Sequence, residues 1–157
     1  MTEQEFSPVN LHDLDGADIE CHKLALQSGH PRPTSFKTWL STESSSPATR
    51  FFRSPGRYVL VTGEVVAESW DDLTDGALAH GIDRTIDGKL LFERPVWTNT
   101  RTDGETWGDD KHCEHWSSDD VNLVSRVGAS GYADSAWTDA VMDVTCAATA
   151  TLYCFQQ

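Results

Sequence analysis

Hydrophobic positions in this chain come in short runs separated by turn residues. The run Phe6–His12 predicts a short edge strand, and the next apolar pattern predicts a helix that begins at Asp18 and ends at the pair Ser28-Gly29. Alternation of apolar and polar positions predicts a strand over Ser35–Leu40. The most apolar run rich in β-formers, Tyr58–Thr62, is expected in the core.

The second half of the chain is richer in loops. A short helix is predicted after Ser69, which is a typical N-cap residue followed by acids. Short runs such as Val96–Thr98 resemble strands, and Thr149–Phe155 predicts a terminal strand. Val121–Asp143 shows no sustained period. With no repeat and no linker, residues 1–157 are expected to form a single domain.

Charge narrows the range of partners. The chain has 25 acidic against 12 basic side chains, a formal net charge of -13. This field repels nucleic acid, heparin-like polyanions and anionic lipid. At 38% hydrophobic residues with six tryptophans, the composition is too apolar for a disordered tail, and its apolar runs are too short for membrane insertion.

The four cysteines favour disulfide bonds. They lie at Cys21, Cys113, Cys146 and Cys154, with no Cys-x-x-Cys pair of the kind found in zinc ribbons and thioredoxin-type redox motifs. Disulfides indicate an oxidising compartment, so we expect an extracellular or cell-surface protein. Spacing alone leaves all three pairings of four cysteines open.

An ordered set of motifs resembles the endostatin domain, the C-terminal domain of certain collagens. The opening match is Gly16-Ala-Asp-Ile-Glu-Cys21 followed by Ser35-Phe-Lys-Thr-Trp-Leu-Ser41. The later matches keep the family's order and are Ser69-Trp70, Asp87-Gly88-Lys89, Val96-Trp97, Cys113-Glu114-x-Trp116, Cys146 and Leu152-Tyr-Cys154. The resemblance spans about residues 5 to 155.

The resemblance implies a fold and a disulfide pairing. The fold is α+β and C-type-lectin-like, with curled, mainly antiparallel sheets, two helices and long loops. The nested family pairing, placed on this sequence, joins Cys21 to Cys154 and Cys113 to Cys146. We expect this arrangement to leave the loop-rich end of the domain free to face a partner.

Two properties of the family are not expected here. Endostatin is basic and binds heparan sulfate, whereas this chain carries -13. The zinc ion of endostatin is held largely by histidines at the extreme N-terminus. The first residues of this chain include no histidine, and only His12 is near that position. We therefore expect neither heparin binding nor that zinc site.

Carboxylates and histidines offer two other candidate metal sites. Four carboxylates fall within one turn-rich stretch, and Ca²⁺ is a hard cation that prefers oxygen ligands, so calcium is a candidate cofactor. The alternative is an acidic loop that is simply solvated. These carboxylates are Asp103, Glu105, Asp109 and Asp110. His112 and His115 are a second candidate pair, for a transition metal, with ordinary surface histidines as the alternative.

The tryptophans divide into framework and loop positions. The resemblance places Trp39, Trp70, Trp97 and Trp116 in framework elements, which favours the core. Trp107 and Trp137 lie in loops rich in Gly and Asp, and both are candidate ligand contacts. With the carboxylates 103–110 they make up the predicted binding face.

The sequence favours binding over catalysis. It contains no Gly-x-Ser-x-Gly elbow, no His-Glu-x-x-His motif and no glycine loop for phosphate, and disulfides leave no thiol nucleophile. We expect a binding or adhesion module at the C-terminal tip of a longer secreted or fibrous protein, with a glycan or a protein on another surface as its ligand. The alternative is a structural assembly domain that forms a homotrimer, as endostatin's parent does.

Overall fold

The structure is a computed structural model that describes residues 1–157, and its fold class is α+β. It contains four helices rather than the two expected: one long helix and three single turns. Their bounds are α1 Leu14–Gln27, α2 Pro47–Arg50, α3 Trp70–Leu73 and α4 Cys113–Trp116. Three 3-10 turns occupy Pro8–Asn10, Pro33–Ser35 and Ser135–Trp137.

Helix α1 begins four residues before the predicted start. The Asp13 side chain accepts a hydrogen bond from the backbone N–H of Gly16 at 2.7 Å and caps the first turn. A Cβ on Gly16 would lie 1.8 Å from the carbonyl oxygen of Leu11, so glycine is needed at this position for close packing in the first turn of the helix.

The strands form three small antiparallel sheets. Strand β1 (Phe36–Thr38) pairs with β7 (Cys154–Gln156), and β2 (Tyr58–Val59) pairs with β3 (Val65–Ala67). The third sheet has the order β4-β5-β6, with bounds Pro95–Trp97, Val124–Ala129 and Asp143–Thr145. These bounds confirm the predicted strands around Lys37 and Trp97. Strand β5 lies within Val121–Asp143, a segment whose hydrophobic pattern predicts no strand.

Tryptophans occupy the centre of two hydrophobic clusters. The larger cluster surrounds Trp39, whose ring contacts Trp70, Phe51 and Phe155. The smaller contains Trp97 and Trp116, with ring centroids 5.8 Å apart. All four tryptophans predicted in the framework are therefore buried.

Both disulfides follow the pairing that the resemblance implies. Cys21 of α1 bonds Cys154 of β7, and Cys113 of α4 bonds Cys146 beyond β6. They close loops of 133 and 33 residues, for which the chain-entropy model gives about 5 and 4 kcal/mol of stabilisation. The first bond fixes α1 to the last strand.

A buried ion pair joins α1 to the rest of the domain. The Arg50 guanidinium donates to both carboxylate oxygens of Asp18 at 2.7 Å, and each side chain is only about one-tenth exposed. Asp18 also accepts the backbone N–H and the hydroxyl of Thr38, both at 2.8 Å. One carboxylate thus connects α1, β1 and α2.

Two predicted strands differ from the structure. Phe6–His12 forms a single bridge to Ala150 and then a 3-10 turn, because Pro8 opens a turn instead of extending a strand. In Tyr58–Thr62 only Leu60 is buried, since this two-residue strand lies at the surface with Val59 facing outward. No helix of the chain has the length and apolar character needed to cross a membrane.

Candidate functional site

Three segments meet on one face of the domain: the 41–46 loop, the 101–111 loop and α4. We call this the loop face. The indole N–H of Trp116 donates to the carbonyl of Ser41 at 3.0 Å, and the Thr106 hydroxyl donates to the carbonyl of Thr42 at 2.5 Å. Because Trp116 is fully buried, α4 and the 41–46 loop are anchored to the same core residue.

Helix α4 is a turn of left-handed helix. All four residues from Cys113 to Trp116 have φ between 51° and 64°. Left-handed geometry costs non-glycine residues about 1–2 kcal/mol each. The turn is held by the bond from Cys113 to Cys146, by the burial of Trp116, and by a hydrogen bond from the Trp116 N–H to the His112 carbonyl at 2.7 Å. Strain of this kind is often found at functional sites.

Trp107 lies on the loop face with 41% of its surface exposed, as predicted. The guanidinium carbon of Arg126 is 4.2 Å from the centre of its ring, and that of Arg101 is 5.9 Å away. Arg126 is itself fixed, because it donates to the Asp109 carboxylate at 2.6 Å. The indole is therefore exposed and held in place by cation–π contacts.

Trp137 is not on the surface, and its prediction as a ligand contact is wrong. Its ring is completely buried, 4.8 Å from that of Trp39 and 5.8 Å from that of Tyr153. The reason lies in β5, where a Cβ on Gly128 would come within 2.1 Å of the Trp137 carbonyl oxygen. Glycine lets the 135–137 turn pack directly against the strand and brings the indole into the core.

The predicted calcium ligands do not converge. These carboxylates are Asp103, Glu105, Asp109 and Asp110. Asp103 pairs with Arg101 at 2.5 Å and Asp109 with Arg126 at 2.6 Å, so two of the four are bound to different arginines. None of the four belongs to a group of three or more side chains whose ligand atoms lie together. The acidic loop therefore lacks the shared oxygen cage that Ca²⁺ requires.

A different group does converge on this face. Glu43, His112 and His115 each offer one ligand atom, and these atoms lie within 4.8 Å of one another. Glu43 Oε2 is 2.9 Å from His112 Nε2 and 3.5 Å from His115 Nδ1. The two histidines were candidates from the sequence, but Glu43 was missed because it comes from a distant Ser-rich loop.

The hydrogen bonds of His112 define its neutral tautomer. The backbone N–H of His115 donates to His112 Nδ1 at 2.9 Å, so that nitrogen carries no proton. In the neutral ring the proton is therefore on Nε2, which lies 2.9 Å from Glu43 Oε2. His112 is buried, whereas Glu43 and His115 are exposed.

Two grooves accompany these features. One, of about 420 Å³, adjoins the loop face and is lined by His115, Asp13, Asp15, Lys37 and the Asp18–Arg50 pair, among others. The other, of about 580 Å³, includes Phe92, which stacks on Tyr132 at 5.9 Å, and contains the Lys89–Glu3 and Arg94–Glu5 ion pairs. The second groove includes none of the residues predicted to bind a ligand.

Comparison with known proteins adds no family assignment. A scan against protein-family models and a search of curated proteins both returned no match.

Proposed function

We propose that this domain is an extracellular binding or adhesion module that recognises a glycan or a protein through the loop face. The observation that carries the proposal is Trp107, an exposed indole fixed by Arg126 and Asp109. Trp107 is the only one of the six tryptophans that is not buried. An indole presents a large contact area with few rotatable bonds, so holding it in place in advance lowers the entropy cost of binding.

Charge further restricts the ligand. The net charge of -13 opposes polyanions, while the arginines beside Trp107 are paired with Asp103 and Asp109. The loop face therefore combines an aromatic surface with locally balanced charge. Neutral glycans and protein surfaces without a strong negative field suit it best.

The cysteines support an extracellular location. All four are in disulfides, which are typical of secreted and cell-surface proteins, and no thiol is left as a nucleophile. We propose that the domain is displayed outside the cell as part of a longer secreted or fibrous protein.

We further propose that the domain has an endostatin-like variant of the C-type-lectin-like fold. Three features support this: the nested disulfide pairing, an early helix bonded to the last strand, and small antiparallel sheets joined by long loops. A fold of this kind has a loop-rich end that is available for ligands. The loop face consists largely of loops, so we assign it to that end.

The experiment is a screen of the purified domain on a glycan array and on cell-surface proteins. Trp107→Ala is expected to abolish the signal, whereas Phe52→Ala, which removes a 70% exposed aromatic ring distant in sequence, is expected to leave it intact. Equal binding by the Trp107→Ala variant would refute the role of the loop face. No binding by the unmodified domain, together with concentration-dependent trimers in ultracentrifugation, would instead favour the assembly role.

A further inference from the structure

We propose that Glu43, His112 and His115 form a binding site for a divalent transition metal of the Zn²⁺ type. The site would use three protein ligands, and its fourth position would open toward the neighbouring groove. This proposal does not depend on which ligand binds at Trp107. The site is also distinct from the calcium site predicted in the acidic loop, because it shares no residue with it.

The ligand atoms are close to the spacing that such a metal needs. Metal–ligand bonds of 2.0–2.2 Å in a tetrahedron place neighbouring ligand atoms about 3.3–3.6 Å apart. Here Glu43 Oε2 lies 2.9 Å from His112 Nε2 and 3.5 Å from His115 Nδ1, and no ligand atom is more than 4.8 Å from another. Glu43 and His115 are exposed, so their side chains have room to rotate and adjust these distances.

The backbone fixes the ligands from both sides. His112 caps the left-handed turn α4 and His115 lies within it, and the conformation of this turn is held by a disulfide and by buried Trp116. Glu43 belongs to the loop that accepts the Trp116 indole N–H at Ser41. The backbone of both segments is therefore in place before binding, which lowers the entropy cost, and the one bond that binding must break is that from the His115 N–H to His112 Nδ1.

The donor set selects the class of metal. Two imidazole nitrogens and one carboxylate are typical ligands of Zn²⁺, Co²⁺, Ni²⁺ and Cu²⁺, whereas Ca²⁺ and Mg²⁺ prefer all-oxygen sites. Sites with three protein ligands keep one position for water or a bound molecule. His115 lines the groove of about 420 Å³, so the proposed site lies at the edge of that groove.

The tautomer of His112 provides a specific signature of binding. In the metal-free structure the backbone N–H of His115 donates to His112 Nδ1 at 2.9 Å. A metal bound to Nε2 requires the ring proton to be on Nδ1, and Nδ1 can then no longer accept that hydrogen bond. The proton moves from one ring nitrogen to the other, and the His115 amide loses its acceptor. The amide resonance of His115 must therefore shift when the metal binds.

The test measures Zn²⁺ binding by calorimetry and the visible spectrum of bound Co²⁺ on the oxidised domain. We expect one Zn²⁺ per chain, a four-coordinate Co²⁺ spectrum, and a shifted His115 amide. Glu43→Gln and His115→Gly should each weaken binding by at least about 10-fold, because removal of a direct ligand costs no less than removal of an outer partner. Glycine suits the φ of 58° at position 115, so His115→Gly deletes the imidazole without loss of the fold.

The control is His80→Gln, which removes a histidine outside the group and should leave affinity unchanged. A thermal melt of each variant confirms that it is folded. The proposal is overturned if Zn²⁺ in excess over protein does not bind, if Glu43→Gln and His115→Gly bind as tightly as the unmodified chain, or if His80→Gln loses affinity equally.

Discussion

Replacing Asp18 by alanine should be among the most damaging single changes to this domain. Its carboxylate accepts four hydrogen bonds, two from Arg50 and two from Thr38, all between 2.7 and 2.8 Å. Arg50 has two further acceptors in the carbonyls of Thr38 and Leu40, at 3.3 and 3.2 Å. In Asp18→Ala the guanidinium keeps those carbonyls but loses its only anionic partner.

The expected loss follows from burial. Breaking a buried pair by removing one partner typically costs about 3–5 kcal/mol, because the remaining charge is left uncompensated. The Arg50 side chain is 11% exposed, so little water can replace the carboxylate. The double variant Asp18→Ala with Arg50→Met removes the buried charge as well, and it should therefore be less destabilised than Asp18→Ala alone.

Denaturant unfolding under oxidising conditions measures these free energies. The control is Glu68→Gln, which breaks the Arg57–Glu68 pair, whose side chains are 64% and 60% exposed. That change should cost no more than about 1 kcal/mol. If Asp18→Ala also cost less than about 1 kcal/mol, the claim that this buried pair joins α1 to the domain would be refuted.

Two further changes test the packing and the charge state of the domain. Trp137→Ala should lower the free energy of unfolding by about 3–5 kcal/mol because it leaves a cavity in the core. Trp107→Ala removes only an exposed ring and its cation–π contacts and should change that free energy by no more than about 1 kcal/mol. Equal effects of the two variants in urea unfolding would contradict the burial assigned to them. In the isolated domain, burial lowers the pKa of the Met1 amino group from 8.0 to about 5, so between these values only the unfolded chain takes up the proton. Stability should therefore rise from pH 5 to pH 8, and acetylation of this amino group should remove that part of the rise in thermal melts; an unchanged pH profile after acetylation would be the contrary result.

Local signals in the sequence predicted much of the secondary structure but not its burial. Ser69 caps α3 by accepting the N–H of Asp72, as the cap-like pattern indicates. The apolar run at Tyr58–Thr62 was expected in the core, yet it forms a surface strand because only β3 pairs with it. Burial depends on which segments pack together, and that information is spread over the whole chain.

The binding face shows the same division between local and distant information. Composition alone could not separate Trp107 from Trp137, since both lie among Gly and Asp residues; contact with Gly128 of β5 decides that only Trp137 is buried. Likewise, His112 and His115 were visible as a pair, whereas the left-handed turn that orients them and the Glu43 that joins them depend on tertiary contacts.

The most direct test of the binding role is an NMR titration of the indole N–H groups. Each of the six tryptophans contributes one such signal, and only that of Trp107 belongs to an exposed ring. On addition of the glycan or surface protein selected in the array screen, the account predicts that the Trp107 signal shifts while the signals of the five buried indoles stay in place. Saturable binding with no change at Trp107, and with shifts confined to the groove beside Phe92, would contradict it.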